Sequence, residues 1–330
     1  MNETVVEYLP LTVTLDVSDI PLDSGGRVIM SVFTFIMCIS IPLNAAIIAA
    51  CFYHRFHSPM LLYIALSSLA DTSWGVVGIS CFFSRIIARR KIISFNECLF
   101  QLFSIYFTLF QQFLTTWLMY IDRHWAIFWP YSGAVKLVIV VLTIGLLLSV
   151  SYVVIPTTMV YCNYSVVVRD VTCVSSPVAR SACANVHLSI IYSLFFLYLV
   201  YGLTGFTALY STWCIVRKCR KTSTEANLKA LHTCFTQLFA SLAQFISLIV
   251  ISVLKRFLRI PTLDFILVLI SLVTPAFLNP LIFGFRIQEI RSTIVLAFRK
   301  IVWLIFPSAA KYGWMSVMYS PMLLYLSVCF

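Results

Sequence analysis

Long apolar runs separated by short polar segments dominate the chain. A helix needs about 20 apolar residues to cross the hydrocarbon core of a bilayer, and seven runs reach that length. They cover residues 28–52, 59–84, 99–121, 136–160, 187–215, 231–254 and 263–284. We expect helices because a helix satisfies its own backbone hydrogen bonds in lipid, and the alternating pattern of barrel strands is absent. The predicted fold is an all-α bundle of seven transmembrane helices.

The composition supports the same prediction. Of the 330 residues, 61% are hydrophobic and 11% are charged. A soluble domain of this length could not bury so much apolar surface, whereas a membrane protein can expose it to lipid. We therefore expect membrane lipid to be a partner of the chain, and we expect no binding of nucleic acid.

The polar segments predict the orientation of the bundle. Residues 1–27 carry five acids and one arginine and lack the apolar core of a signal peptide. Asn2 begins the glycosylation sequon "NET", and Asn163, after the fourth run, begins a second sequon, "NYS". We predict a multi-pass plasma-membrane protein with its N-terminus outside and its C-terminus in the cytoplasm.

Two different segments follow the bundle, which we place at residues 28–284. Residues 285–303 combine apolar and basic side chains at helical spacing, which predicts a short amphipathic eighth helix on the membrane surface. Residues 304–330 are apolar again but are interrupted by Pro321. The role of this tail stays open.

Four cysteines fall on the predicted outer side, where the environment is oxidising. Cys98 begins the third run, and Cys162, Cys173 and Cys183 lie in the loop after the fourth run. Four cysteines allow two disulfides in three pairings, and a bridge from Cys98 would hold the loop over the bundle. No cysteine or histidine cluster has the spacing of a zinc site, so we expect no metal centre of that kind.

Asp71 lies near the middle of the second run, where an uncompensated charge is costly. It is either a neutral, hydrogen-bonded structural acid or part of a hydrated ion or switch site. Asn44 in the first run and Asn279 in the seventh are candidate partners. Gln112 lies about three helical turns before Arg123 on one face of the third run, and that face leads from the region of Asp71 toward the cytoplasm.

Asp122 and Arg123 end the third run at the predicted inner interface. Charged side chains often extend from a helix end into water, so the pair by itself indicates little about function. The spacing from Cys98 adds meaning, because the helix between Cys98 and Arg123 would measure about 37 Å. One helix would then carry a disulfide at its outer end and an arginine at its inner end.

Five short stretches carry motifs that belong together. They are "PLNAAI" (42–47), "HSPMLLYIALSSLADTSW" (57–74), "MYIDRHWAIFWP" (119–130), "LKALHTCFTQL" (228–238) and "TPAFLNPLIFGFRIQEIR" (274–291). Together they resemble the rhodopsin-like G-protein-coupled receptors and, within them, the odorant receptors. The third stretch is similar to the family motif M-A-Y-D-R-Y-V-A-I-C-x-P. The resemblance covers residues 28–300, and the spacing of Pro275 and Asn279 is similar to the branch common in fishes.

The resemblance implies roles for several of these residues. The implied disulfides are Cys98–Cys173 and Cys162–Cys183. The implied intramembrane network for water or a sodium ion near Asp71 contains Asn44, Asp71, Gln112 and Asn279. Pro280 would bend the seventh helix, and no other cofactor is implied.

The resemblance also implies a signalling mechanism. Arg123, paired with Asp122, would be the switch that meets a heterotrimeric G protein of the stimulatory olfactory type, and the signal would be cyclic AMP in sensory neurons. Lys229 and Thr233 would lie at the inner end of the sixth helix. Several positions depart from the family motifs, among them His124, Trp125, Phe128 and Phe283.

The implied ligand is a small, neutral or weakly polar odorant bound between the helices near the outer side. The candidate pocket residues are Ile105, Tyr106, Leu109, Phe110, Phe245, Leu248 and Ser252. They include no acid that would pair with an amine. The alternatives are a receptor of the same fold for an amine or a peptide, and a transporter, although the internal repeats typical of transporters are absent. The sequence contains no nucleophile–base motif that would indicate an enzyme.

Overall fold

The computed structural model describes most of the membrane-spanning chain. The described residues are 12–15, 24–56, 58–84, 92–128, 133–161, 165–168, 172–183, 187–221, 231, 235, 238–239, 241–242, 245–246 and 261–305. The sixth run is thus represented by eight positions, all of them helical.

Helices account for nearly all of the described chain. They are α1 (Ser24–Tyr53), α2 (Pro59–Phe82), α3 (Phe95–Phe128), α4 (Ala134–Thr157), α5 (Ser175–Arg180), α6 (His187–Lys221), α7 (Pro261–Arg286) and α8 (Gln288–Ile305). Five of them, α1, α2, α3, α4 and α6, are long and apolar enough to cross a membrane, and α7 contains a shorter apolar stretch, Val273–Phe285. The prediction of an all-α membrane bundle is confirmed.

Two of the helices extend well beyond the apolar runs that predicted them, whereas α2 ends at Phe82, two residues before its run. The third run ends at residue 121, but α3 continues to Phe128, and the fifth ends at residue 215, but α6 continues to Lys221. Hydropathy detects only the part of a helix that lies in lipid, whereas the backbone hydrogen bonds continue into the polar interface. The short helix α5, which lies in the loop before α6, was not predicted.

The helix α3 is the centre of the bundle. It packs against α2, α4 and α6, while α1 packs against α2 and α7. The main buried cluster lies along α3 and includes Phe110, Phe113 and Leu118. Large apolar side chains such as Phe206, which is 70% exposed, lie on the outer surface of the bundle. This inversion of the usual pattern is expected where lipid is the solvent.

A three-stranded sheet covers the predicted outer end of the bundle. Its strands are β1 (Thr12–Leu15), β2 (Ile92–Ser94) and β3 (Ser165–Val168), in the order β2–β1–β3. The strand β1 pairs antiparallel with β2 and parallel with β3, so the N-terminal segment is the central strand. Val13 and Leu15 of this strand are fully buried, in a cluster that also contains the half-cystines Cys98 and Cys173. The sequence analysis placed this segment outside but did not predict that it folds into a sheet.

The helix α8 follows α7 directly and packs against the inner end of α1. His54, just after α1, makes a hydrogen bond of 2.9 Å with the hydroxyl of Thr293 and one of 3.2 Å with the backbone carbonyl of Glu289. The amphipathic pattern predicted a helix over 285–303, whereas the observed helix is Gln288–Ile305 and residues 285–286 still belong to α7.

Candidate functional site

A polar contact in the middle of the bundle joins α2 to α7. The amide of Asn279 donates a hydrogen bond of 2.9 Å to Oδ2 of Asp71, which is 1% exposed. Asn44 on α1 is buried close by and donates to the backbone carbonyls of Ser40 (3.0 Å) and Ala276 (2.8 Å). The structure thus brings Asn279 to Asp71 as expected, whereas Asn44 reaches the α7 backbone instead of the acid.

Several polar atoms around Asp71 have no hydrogen-bond partner among the described protein atoms. They are Oδ1 of Asp71, Oδ1 of Asn44, both polar side-chain atoms of Gln112, and the hydroxyls of Ser67 and Ser68. Gln112 adjoins the Asp71 carboxylate. Buried polar atoms of this kind usually bind water or an ion, and hard cations prefer oxygen ligands. The donor set therefore fits the sodium site that the resemblance implies.

The inner end of α3 carries the predicted charge pair. Asp122 and Arg123 are both half-buried, and the guanidinium of Arg123 is close enough to act electrostatically on the Asp122 carboxylate. The ring of His124 lies 5.7 Å from the ring of Tyr210 on α6. Lys229 and Thr233, predicted for the same inner site, lie outside the described residues.

Tyr120, just before the charge pair, contacts two neighbouring helices. Its hydroxyl donates a hydrogen bond of 3.0 Å to the hydroxyl of Ser241 in the sixth run. The hydroxyl of Ser211 on α6 donates one of 3.1 Å to the Tyr120 backbone carbonyl. No motif or spacing in the sequence predicted a role for any of these three residues. The only available signal was the presence of polar groups in apolar runs.

Two of the four predicted ligand residues of α3, Tyr106 and Phe110, lie in an aromatic cluster. We define this cluster as Tyr106, Phe110, Phe113, Tyr152, Tyr201 and Phe245. The rings of Tyr106 and Tyr152 stack with centroids 4.0 Å apart, and Phe110 meets Tyr152 edge to face at 5.5 Å. The hydroxyl of Tyr152 donates to the backbone carbonyl of Ser193 on α6. Tyr152 was missed by the sequence analysis, although it is the only aromatic residue of α4.

The inner part of the cluster joins α3, α6 and the sixth run. Phe113 lies 4.3 Å from Tyr201 and 5.4 Å from Phe245, measured between ring centroids. Of the other predicted pocket residues, Ile105 and Leu109 are partly buried on α3. Leu248 and Ser252 lie outside the described residues.

A groove of about 320 Å³ adjoins the cluster between α6 and the sixth run. It is lined by Tyr198, Tyr201, Gly202, Gly205, Ala208, Leu209, Leu238, Leu242 and Phe245. Tyr201 and Phe245 therefore belong to both the groove and the aromatic cluster. Phe245 was among the predicted pocket residues, and the other residues that line the groove were not.

A disulfide holds the outer loop over this cluster. Cys98 at the start of α3 is bonded to Cys173, with Cα atoms 5.4 Å apart, and this is the pairing that the resemblance implied. Two residues later, the hydroxyl of Ser175 shares a hydrogen bond of 2.9 Å with the hydroxyl of Tyr106. Cys183 is also disulfide-bonded, but its predicted partner Cys162 lies outside the described residues, as do the sequon residues Asn2 and Asn163.

The loop is also fixed at the outer end of α4. The hydroxyl of Tyr161 donates a hydrogen bond of 3.0 Å to the Pro156 carbonyl, and its ring packs edge to face on Phe95. Burial raises the pKa of Tyr161 to about 12. The hydroxyl therefore stays protonated and able to donate even near pH 10, where an exposed tyrosine would ionise.

Comparison with known proteins decides what this arrangement belongs to. A family profile for the olfactory receptors matches residues 33–300. Olfactory receptor 51I1 of Homo sapiens is 27% identical over 300 residues, which cover 87% of this chain and 95% of the relative. Olfactory receptor 51I2 of Homo sapiens is 30% identical, covering 74% of this chain and 82% of the relative. The chain belongs to the olfactory receptor family.

Membership of the family establishes the general function. The receptor is a class A G-protein-coupled receptor and a multi-pass membrane protein, and its fold is the seven-transmembrane bundle. Its ligands are odorants, its signalling partner is a G protein, and it is not an enzyme. A mouse relative, olfactory receptor 56B34 of Mus musculus, is 25% identical over 74% of this chain and 78% of its own.

Proposed function

We propose that this receptor binds a small, neutral odorant against the aromatic cluster and signals through a stimulatory G protein. The aromatic cluster itself carries the proposal. Its six rings offer mostly apolar faces, and the hydroxyls of Tyr106 and Tyr152 are already engaged with Ser175 and the Ser193 carbonyl. A ligand in contact with these rings gains mainly from burying apolar surface.

The charge of the ligand follows from the same residues. None of the six cluster residues is charged, and neither is any of the nine residues that line the adjoining groove. A buried ammonium group would therefore lose its hydration without gaining a carboxylate partner. The groove volume is at the small end of the range for ligand pockets, roughly 300–1,000 Å³. Both observations support a small, uncharged odorant.

The ligand class can be tested by a cyclic-AMP screen in heterologous cells that express a stimulatory G protein. We expect alcohols, aldehydes or ketones of small size to activate the receptor, and amines of matched size to be inactive. The variant Phe113→Ala should weaken the response to any agonist found, because Phe113 contacts Tyr201 and Phe245, which also line the groove. A receptor that responds only to amines or peptides would instead be a class A receptor for another ligand type.

The inner charge pair supports the coupling proposal. Arg123 lies at the inner end of α3, and Tyr120, one turn before it, contacts the sixth run. An arginine in this place is accessible to a protein that binds the cytoplasmic side once the sixth run moves. We expect Arg123→Ala to abolish the cyclic-AMP response at matched surface expression. A wild-type response from that variant would exclude this role for the arginine.

The outer disulfide supports an orientation with the N-terminus outside. The bond between Cys98 and Cys173 requires an oxidising compartment, and the same end of the bundle holds β1 of the N-terminal segment. The helix α8 would then lie on the cytoplasmic membrane surface in contact with lipid. An epitope tag before residue 12 should be stained by antibody on intact cells, and staining only after permeabilisation would reverse the assignment.

A further inference from the structure

One hydrogen bond in the inner half of the bundle joins the two elements that must separate during signalling. The hydroxyl of Tyr120 on α3 donates to the hydroxyl of Ser241 in the sixth run at 3.0 Å. We propose that this bond is a latch that holds the sixth run against α3 in the inactive receptor, and that Tyr120 is a positioning residue for signalling. The inference rests on the proposed coupling to a G protein, in which the inner end of the sixth run moves outward.

The surroundings make this bond strong enough to matter. Tyr120 is 0% exposed, Ser241 is 6% exposed and Ser211 is 1% exposed. In such an interior, a hydroxyl that loses its partner cannot recover the interaction from bulk water. The bond from Ser211 to the Tyr120 carbonyl fixes the backbone from which the phenol extends. Three helices, α3, α6 and the sixth run, are thus joined at one level.

The latch favours one conformation over the other. A hydrogen bond weakens steeply once its oxygens separate beyond about 3.5 Å, so even a small outward shift or rotation of the sixth run breaks it. The bond therefore stabilises the closed arrangement and contributes nothing to the open one, which is the condition for an interaction to bias a two-state equilibrium. Tyr120 lies one helical turn before Arg123, close to the surface on which a G protein would bind.

The position of the tyrosine is a particular property of this chain. In the family motif M-A-Y-D-R-Y, the tyrosine directly precedes the aspartate, whereas here Ile121 holds that place and Tyr120 precedes it. A displacement of one residue turns a side chain by about 100° around the helix axis. The phenol therefore points to a different side of α3, where it meets Ser241. A similarity to the motif alone would not reveal this contact.

The latch is tested with the full-length receptor in lipid nanodiscs, without ligand, by hydrogen–deuterium exchange. In Tyr120→Phe, the ring remains and only the donor is lost, while Ser241→Ala removes the acceptor. We expect both variants to exchange roughly fivefold faster in peptides from the inner half of the sixth run, which is the factor that one such hydrogen bond is worth. The double variant should exchange no faster than either single variant, because all three variants lack the same bond.

A matched control is available near the outer end of α6. The hydroxyl of Tyr192 donates to the hydroxyl of Ser151 on α4 at 2.8 Å, so Tyr192→Phe removes a bond of the same chemistry that does not involve the sixth run. Exchange in the sixth run should be unchanged in this variant. Equal exchange in wild type, Tyr120→Phe and Ser241→Ala would overturn the latch. If Tyr120→Phe does not fold, Ser241→Ala alone decides.

Basal cyclic AMP in cells with a stimulatory G protein provides the second measurement. At matched surface expression, we expect Tyr120→Phe and Ser241→Ala to raise the agonist-independent signal roughly fivefold over wild type, and Tyr192→Phe to leave it unchanged. Faster exchange without a rise in cyclic AMP would support the latch and overturn the stimulatory coupling. Unchanged exchange together with an agonist response in the screen would overturn the latch and support the stimulatory coupling. The two proposals can therefore fail separately.

Discussion

The hydroxyl oxygens of Tyr106 on α3 and Ser175 on α5 lie 2.9 Å apart, and both residues are buried. Ser175 follows Cys173 by two residues, and Cys173 is bonded to Cys98 at the start of α3. The outer loop is thus attached to α3 at two points, one covalent and one polar. The polar attachment reaches into the aromatic cluster, so the position of the loop and the shape of the ligand region are coupled.

The first prediction concerns this coupling. Tyr106→Phe retains the ring that stacks on Tyr152 but removes the bond to Ser175. We expect the agonist concentration for half-maximal response to rise roughly fivefold, which corresponds to one buried hydrogen bond. Tyr161→Phe is the control, because its hydroxyl bonds Pro156 outside the cluster. Equal effects of the two variants would show that the loop stabilises the outer end of the bundle in general and that the Tyr106–Ser175 bond has no specific effect on ligand binding.

The second prediction concerns the N-terminal strand. Val13 is fully buried in β1, and an aspartate there would place a charge in the apolar layer beneath the sheet. We expect Val13→Asp to cost at least about 2 kcal/mol of stability and to lower both the melting temperature and the surface expression. Thr14→Asp is the control, because successive side chains of a strand point to opposite faces and Thr14 is only half-buried. If the two variants are equally stable, β1 does not brace the outer end.

The third prediction concerns sodium near Asp71. The oxygens around this residue that lack a protein partner fit a hard cation. A ligand that binds the folded state raises the melting temperature, so we expect sodium chloride to stabilise the purified receptor relative to choline chloride at equal ionic strength. Asp71→Asn should lose this difference, since the amide retains the shape but not the charge. A sodium effect of the same size in the variant would exclude Asp71 as a ligand.

The sequence predicted the parts of this receptor that depend on hydropathy and on motifs. The helical runs, the family and the approach of Asn279 to Asp71 follow from residue types that behave alike in any member of the fold. The predicted third and fifth runs were shorter than α3 and α6. The length of an apolar run reflects the thickness of the lipid layer and not the full length of the helix. The strand β1 was missed although "TVTL" alternates, since four residues form a strand only when β2 and β3 supply partners.

The remaining errors concern contacts between distant parts of the chain. Tyr152 and Ser175 join the ligand region because α4 and the loop fold onto α3, and no local pattern records that approach. Asn44 was named as a candidate partner of Asp71, and its contact with the Ala276 carbonyl was not foreseen, because it depends on how α1 packs against the α7 backbone. Such partners depend on helix rotation, which a single sequence does not specify.

The fourth prediction concerns Gly145, where α4 approaches α3 closely. A Cβ atom at this position would lie 2.5 Å from Nε2 of Gln111, whose side chain is buried and donates to the Leu142 carbonyl at 3.2 Å. Gly145→Ala therefore has to displace a hydrogen-bonded amide or move a helix, and we expect a loss of about 1–3 kcal/mol, as for other overpacked sites. Gly202→Ala on α6 is the control, because no described atom lies within 4 Å of its Cβ position and alanine has the higher helix propensity. Thermal unfolding of both variants in the same detergent measures the difference, and equal melting temperatures would mean that α4 is free to shift away from α3.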